Sequence, residues 1–321
     1  MGRVSSLAIA TTAAPAFCVH TTNQLGTHVF STLFVGQANP GIQTDITNGV
    51  MNDQFQFLGL DDPTGQNATG FSIGVLSSTL DPAKGTWPAN NPEDWSFLAD
   101  PTGVSMGLPT QQLTGGVITN NALTAGPNAI TLVLSLLGVN TSLEMKNVKL
   151  AATVSSTTST PAPPPSQLAS GFVTFDSVSG SGVNEGLCGD ITVESLAQTP
   201  IPSALTTGTT ACAEAYTSCG ANQPVTANCN SLLDAMVGGC KILGGVVTAI
   251  NPTQPDVPGS GTTVLTLVSG FHKKVTVPSG DTDAYSSYFT LGLTREHFSG
   301  EACTASFQCQ VGQTCTNGVC Q

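Results

Sequence analysis

Charge is what this chain lacks most. Only 9% of its 321 residues are Asp, Glu, Lys or Arg, against roughly a quarter in ordinary soluble domains. Cations are the scarcer sign: eight Lys and Arg face 20 Asp and Glu, for a net charge of −12. A nucleic-acid surface needs clustered cations to neutralise phosphates, and so few scattered ones cannot form it. Anionic membrane surfaces are poor partners for the same reason. No apolar run approaches the roughly 18–20 residues of a membrane helix, which argues against helical insertion. Histidines number only four, none spaced to join a cysteine group, and no Cys-x-x-Cys occurs. Zinc is therefore the weaker reading of the cysteines.

What is present points to a folded β-protein. Hydrophobic residues make up 40% of the chain, too many for a disordered segment. Solubility rests on Ser, Thr, Asn and Gln, with 35 Gly and 20 Pro as punctuation. The ten cysteines are Cys18, Cys188, Cys212, Cys219, Cys229, Cys240, Cys303, Cys309, Cys315 and Cys320. Their even number and their crowding after residue 180 predict up to five disulfides in an oxidising, extracellular or cell-surface setting.

The most informative stretch is Asn128 to Val154. Ile130, Leu132, Leu134 and Leu136 alternate with Thr131, Val133 and Ser135, a period-2 pattern that predicts a buried strand. Gly138 to Ser142 has turn chemistry, and alternation resumes at Leu143 and Met145. It slips by one at Lys146-Asn147 and continues as Val148, Leu150, Ala152 and Val154. A one-residue slip flips the inward face, so a β-bulge or a tight turn is expected there. Further strands are predicted at 28–35, 54–58, 70–76, 115–119, 171–175, 264–268, 274–277 and 285–294. In the last, Tyr285, Ser287, Phe289, Leu291 and Leu293 share a face. Strands separated by Gly, Pro, Asn and Asp predict an antiparallel β-sandwich or jelly roll.

The chain divides by composition. Residues 1–19 read either as a weak secretion signal or as a strand added to a sheet. Residues 20–154 form the β-core. Residues 155–170, with Pro161 and Pro163 to Pro165, form a linker or a long loop. Residues 171–300 hold more strands and a Cys-rich helical cap at 187–240. There, Asp190 is expected to cap a short helix, and Ser231 to Asp234 has a capping-box pattern opening a second. Cys229 and Cys240 flank that second helix. Its ends would lie about 16 Å apart at roughly 1.5 Å per residue, beyond the roughly 7 Å reach of a disulfide. They are expected to bond elsewhere, with Cys188, Cys212 and Cys219 as candidates.

Residues 301–321 form a four-Cys tail with Asn317-Gly318, a strong hairpin turn, between its last two cysteines. The tail resembles the EB-like modules that end some secreted proteins. The layout of β-structure, the Cys-bearing segment CNSLLDAMVGGC and the tail is similar to uncharacterised secreted bacterial proteins. That resemblance implies no activity.

Candidate chemistry is sparse. Ser72 and Ser105 each sit in a Gly-x-Ser-x-Gly match, with His272 and His297 downstream, but neither serine precedes a helix pattern as a nucleophile elbow requires. Asp61, Asp62, Asp94, Asp100, Asp281 and Asp283 fall in loops. There they serve turns, or pool around calcium, a cation wanting six to eight oxygens. Asp-Pro-Thr-Gly occurs twice, at 62–65 and 100–103, with the residues of a type I turn. Trp87 and Trp95, the chain's two tryptophans, share one Pro/Asn loop, either closing the end of the fold or offering ring faces to a sugar. Asn67-Ala-Thr69 and Asn140-Thr-Ser142 are glycosylation sequons.

The expected function is that of a non-enzymatic extracellular surface protein, able to assemble with itself or other surface components into a coat, fibre or matrix. A carbohydrate-binding module and a secreted serine hydrolase are the alternatives. No cofactor is called for beyond calcium.

Overall fold

The computed structural model describes residues 2–27, 31–62, 64–81, 97–106, 108–136, 139–155, 177–199, 255–259, 265–268, 271–274, 283–295, 314–316 and 319–320. The principal strands are β1 (Gly2–Ile9), β2 (Asp53–Leu58), β3 (Asn67–Leu80), β4 (Phe97–Ala99), β5 (Val104–Ser105), β6 (Leu108–Pro109) and β7 (Gln111–Thr119). They continue with β8 (Ala122–Leu136), β9 (Val139–Val154), β10 (Ser177–Gly180), β11 (Gly186–Thr192), β12 (Leu265–Val268), β13 (Phe271–Lys274) and β14 (Ala284–Arg295). The helices are α1 (Gln24–Thr27), α2 (Ser31–Thr47) and α3 (Val193–Gln198).

The main sheet runs β1-β2-β3-β7-β8-β9, then β10 and β11, then β14, and β14 pairs back onto β1. β10 and β11 occupy one position in tandem: β10 meets Val154 and Thr153 of β9, and β11 meets the same strand from Ala151 to Met145. The result is a closed antiparallel barrel of eight strand positions in chain order, where the sequence pattern predicts a sandwich or jelly roll. The physical difference is closure. Leu7 pairs with Leu291 and Ile9 with Phe289, so the first and last strands remove each other's free edge.

Residues 2–9 are an integral barrel strand. β9 pairs directly with β10 and β11, so strands from before and after the Pro-rich segment share one sheet.

The barrel interior is filled, as expected at this strand number. Leu7, Phe55, Phe57, Ile73, Leu132, Met145, Leu150, Ile191, Tyr285 and Phe289 belong to one buried core. The predicted slip at Asn147 is a bulge: Asn147 has φ 56°, and the β9–β11 register shifts opposite it. The predicted inward face of β14 is also as read, with Tyr285, Phe289, Leu291 and Leu293 buried.

One predicted strand is a helix. Within 28–35, residues from Ser31 onward belong to α2, which runs to Thr47 through Pro40. Its buried residues Val35, Ala38, Ile42 and Ile46 follow helical spacing. Gly36, Pro40 and Gly41 masked that pattern. The helix serves the wall as well as the core. β2 pairs with β1 only at Gly2 and Arg3. Beyond that point Asn39 of α2 accepts from Ile9 N at 2.8 Å and donates to Ile9 O at 3.0 Å, while Gln43 donates to Ser5 O at 3.1 Å. Two amide side chains thus stand in for the missing strand. Asn39→Ala removes both bonds to Ile9 and should cost roughly 2 kcal/mol, at about 1 kcal/mol per hydrogen bond. Urea unfolding checks this.

A second correction concerns Asp190. It lies within β11, and Thr192 caps α3, accepting from Ser195 N at 3.2 Å. The predicted helix within 231–239 and the strand at 171–175 lie outside the described residues. In the tail, β15 (Cys315–Thr316) and β16 (Val319–Cys320) form the expected antiparallel pair.

Candidate functional site: the seam cleft and the stapled arm

The wall between β7 and β8 is only partly zipped by backbone. Their ladder covers Val117↔Thr124 to Thr119↔Ala122. Gly126 bends β8 at φ 94°, where a Cβ would lie 2.2 Å from Val148 O, so only glycine fits. Past that bend, side chains take over as acceptors. Asn128 Oδ1 accepts from Thr114 N at 2.7 Å, Gln111 accepts from Thr131 N, and the Asp53 carboxyl accepts from Val133 N.

A cleft of about 190 Å³ opens over this seam. Its polar wall is Ser77, Thr102, Thr110, Gln111, Thr131 and Ser142, and Val75 and Val133 supply apolar surface. Asp100 and Gly103, from the turn between β4 and β5, close one side. Behind the cleft lies Asp53, 1% exposed. Ser77 Oγ donates to its Oδ1 at 3.3 Å, and its Oδ2 has no hydrogen-bond partner among the described residues. A buried polar atom left unpaired costs about 1–3 kcal/mol. Burial raises the Asp53 pKa to about 8, against the opposing hydrogen bonds from Ser77 and Val133. The folded protein therefore holds a neutral carboxylic acid here at pH 7. Asn52 Oδ1 and Gln54 Oε1, its chain neighbours, are likewise buried without partners among the described residues.

The outer wall carries a second polar constellation. An arm of residues 10–27 is pinned over β11 and β14. Cys18 is disulfide-bonded to Cys188, and two residues on, His20 Nδ1 lies 3.0 Å from Asp190 Oδ1. Asn147 donates to the other Asp190 oxygen at 2.8 Å. Burial raises the Asp190 pKa, opposed by Asn147 and His20. Further along, Thr22 Oγ1 donates to Asp256 at 2.6 Å, and Asp256 accepts from Ser286 N at 2.8 Å. Cys188 therefore bonds back to the N-terminal arm, and is not available to Cys229 or Cys240.

The residues singled out by sequence are scattered. Ser72 sits mid-strand in β3 opposite Leu58, and Ser105 in the two-residue β5; neither stands on a strand-to-helix turn. His272 lies on β13, and His297 lies outside the described residues. Burial, the largest single influence on Asp62, pushes its pKa up, but the hydrogen bonds it accepts from the Thr64, Gln66 and Asn67 backbone N–H groups and the Thr64 hydroxyl together outweigh it and leave the pKa lowered. Asp100 accepts from Thr102 N at 2.9 Å and from its hydroxyl, and those bonds lower its pKa. Both are turn carboxylates, as the repeated Asp-Pro-Thr-Gly predicts. They bind opposite ends of β3, near Asn67 and Ser77, about 30 Å apart at roughly 3.3 Å per residue, so they cannot share an ion. Asp61 adjoins Asp62, and Asp283 accepts from Gly259 N at 2.8 Å. No group of three or more metal-ligating side chains occurs among the described residues. Asp94, Asp281, Trp87, Trp95 and Cys212 to Cys240 lie outside them.

The site residues missed by sequence had a signal. Asp53 is in phase with Phe55 and Phe57, so a carboxyl falls on an inward apolar face. Cys18-x-His20 and Cys188-x-Asp190 share one spacing, which a two-rung contact explains.

No family model, no curated protein and no solved structure matches this chain.

Proposed function

We infer that the protein is a non-enzymatic extracellular surface component, its barrel a rigid module of a coat or matrix. The observation that carries this reading is the Cys18–Cys188 bond, which ties the arm across the strands that close the barrel. Such a structural bond persists in an oxidising compartment and is rare in a reducing one. The filled core supports a scaffold role, since it leaves little room for a ligand in the barrel axis. Apolar side chains point inward, while Thr69, Thr119, Thr124, Ser142, Glu144, Thr153 and Ser179 face solvent. That is the reverse of a lipid-facing barrel. Because β1 pairs with β14, the barrel strands offer no free edge for strand addition.

The test is fractionation of the native producer with thiol trapping. The reading predicts the chain at the surface or in the medium with the peptides of Cys18 and Cys188 joined. A cytosolic chain with both thiols free would contradict it. A fluorophosphonate probe should leave Ser72 and Ser105 unlabelled, and labelling of either would favour the hydrolase alternative.

A further inference from the structure

We propose that the cleft over the β7–β8 seam binds one uncharged sugar ring, presented as a residue of a glycan. Its wall combines five hydroxyl side chains, Ser77, Thr102, Thr110, Thr131 and Ser142, with the Gln111 amide and the apolar surface of Val75 and Val133. A pyranose presents the matching chemistry: hydroxyls that donate and accept around an apolar C–H face. Other ligand classes match it less well. No cation lines the cleft to hold an anion. Its charged residue, Asp100, commits Oδ1 to the Thr102 N–H and hydroxyl. An apolar ligand would strip water from the Thr131 and Ser142 hydroxyls, and from the free lone pairs of the Ser77, Thr102 and Thr110 oxygens, whose protons are already donated within the protein. The volume of about 190 Å³ suits a single ring.

The second observation is Asp53. Both groups that hold its carboxyl, the Ser77 hydroxyl and the Val133 N–H, belong to residues lining the cleft. Ser77 directs its proton inward to Asp53, which leaves its oxygen lone pairs to accept from a ligand hydroxyl. The buried Asp53 Oδ2 lacks a partner among the described residues, so the ground behind Ser77 holds a polar atom that the protein leaves unsatisfied. This site is independent of the surface-component reading, which can fail while it stands.

The experiment is an NMR titration of the full chain with methyl glycosides of neutral hexoses, pentoses and N-acetylhexosamines, with glycerol and inositol as free-polyol arms. The proposal predicts that a glycoside shifts the amides of Ser77, Gln111, Thr131 and Ser142, and that the free polyols bind more weakly. Ser142→Tyr fills the cleft from an exposed position and should weaken binding at least about tenfold with an unchanged melting temperature. Thr131→Val removes one hydroxyl at constant shape and should also weaken it. Three results would overturn the proposal: no glycoside shifting these amides, polyols binding as tightly as glycosides, or affinity undiminished in both variants.

Discussion

Asp53→Asn makes the protein more stable at pH 7, by up to roughly 4 kcal/mol, and flattens the pH dependence of its stability between about pH 4 and pH 8. The folded protein holds the Asp53 proton up to about pH 8, whereas the unfolded chain releases it near 3.8. Between those values the folded state carries the extra proton, so raising the pH disfavours folding. Each pH unit is worth about 1.4 kcal/mol, and some three units separate 3.8 from neutrality. Stability from this group is therefore complete below pH 3.8 and lost progressively as pH rises to about 8. Asparagine is neutral in both states, and its carbonyl can still accept from Ser77 and Val133. Asp62 and Asp100 have lowered pKa values; they act in the opposite sense, weakening the fold as pH falls through the acid range. The comparison of variant with parent isolates Asp53. Urea unfolding at several pH values checks it. A variant no more stable at pH 7, with the parent's slope, would show that the carboxyl is ionised or not buried as described.

The second large effect is loss of the Cys18–Cys188 bond. The bonded residues are 170 apart in sequence, so the unfolded chain loses much freedom when it is closed. Chain-entropy reasoning puts the stabilisation near 5 kcal/mol as a ceiling, with roughly 2–5 kcal/mol typical of native bonds. For a domain of this size that corresponds to a fall in Tm of order 10 °C. The Cys18→Ala/Cys188→Ala double variant is cleaner than reductant, which would also attack other cysteines. The whole barrel is expected to melt earlier, because the bond joins the N-terminal arm to β11. The crowding of cysteines after residue 180 would by itself place the effect of disulfides after the Pro-rich segment. Unchanged melting would mean that packing of Ala14, Phe17 and Tyr288 around the bond suffices without it.

The legible elements of the fold were those written in local period. Strands β2, β3, β7, β8, β9 and β14 follow alternation of apolar residues, and the Asn147 slip appeared as a break in phase. Closure was not legible. A strand alternates the same way in a sandwich and in a barrel, and nothing near Leu7 encodes that its partner is Leu291. Helix α2 was hidden because Pro40 and two glycines interrupt a helical face that tertiary packing nonetheless stabilises. The seam cleft was hidden for a related reason: Asp53, Gln111 and Val133 lie far apart in sequence and meet only once β2, β3, β7 and β8 pair into one sheet. The turn roles of Asp62 and Asp100 were readable because they depend on residues two to five positions away.

The central claim is that strands from both sides of the Pro-rich segment close one barrel. Cross-strand NOEs test it most directly, between Leu7 and Leu291 and between Ile9 and Phe289. A closed barrel predicts both contacts, together with those joining Val154 to Val178. Contacts within β2 to β9 but none between β1 and β14 would leave the sheet open and contradict it.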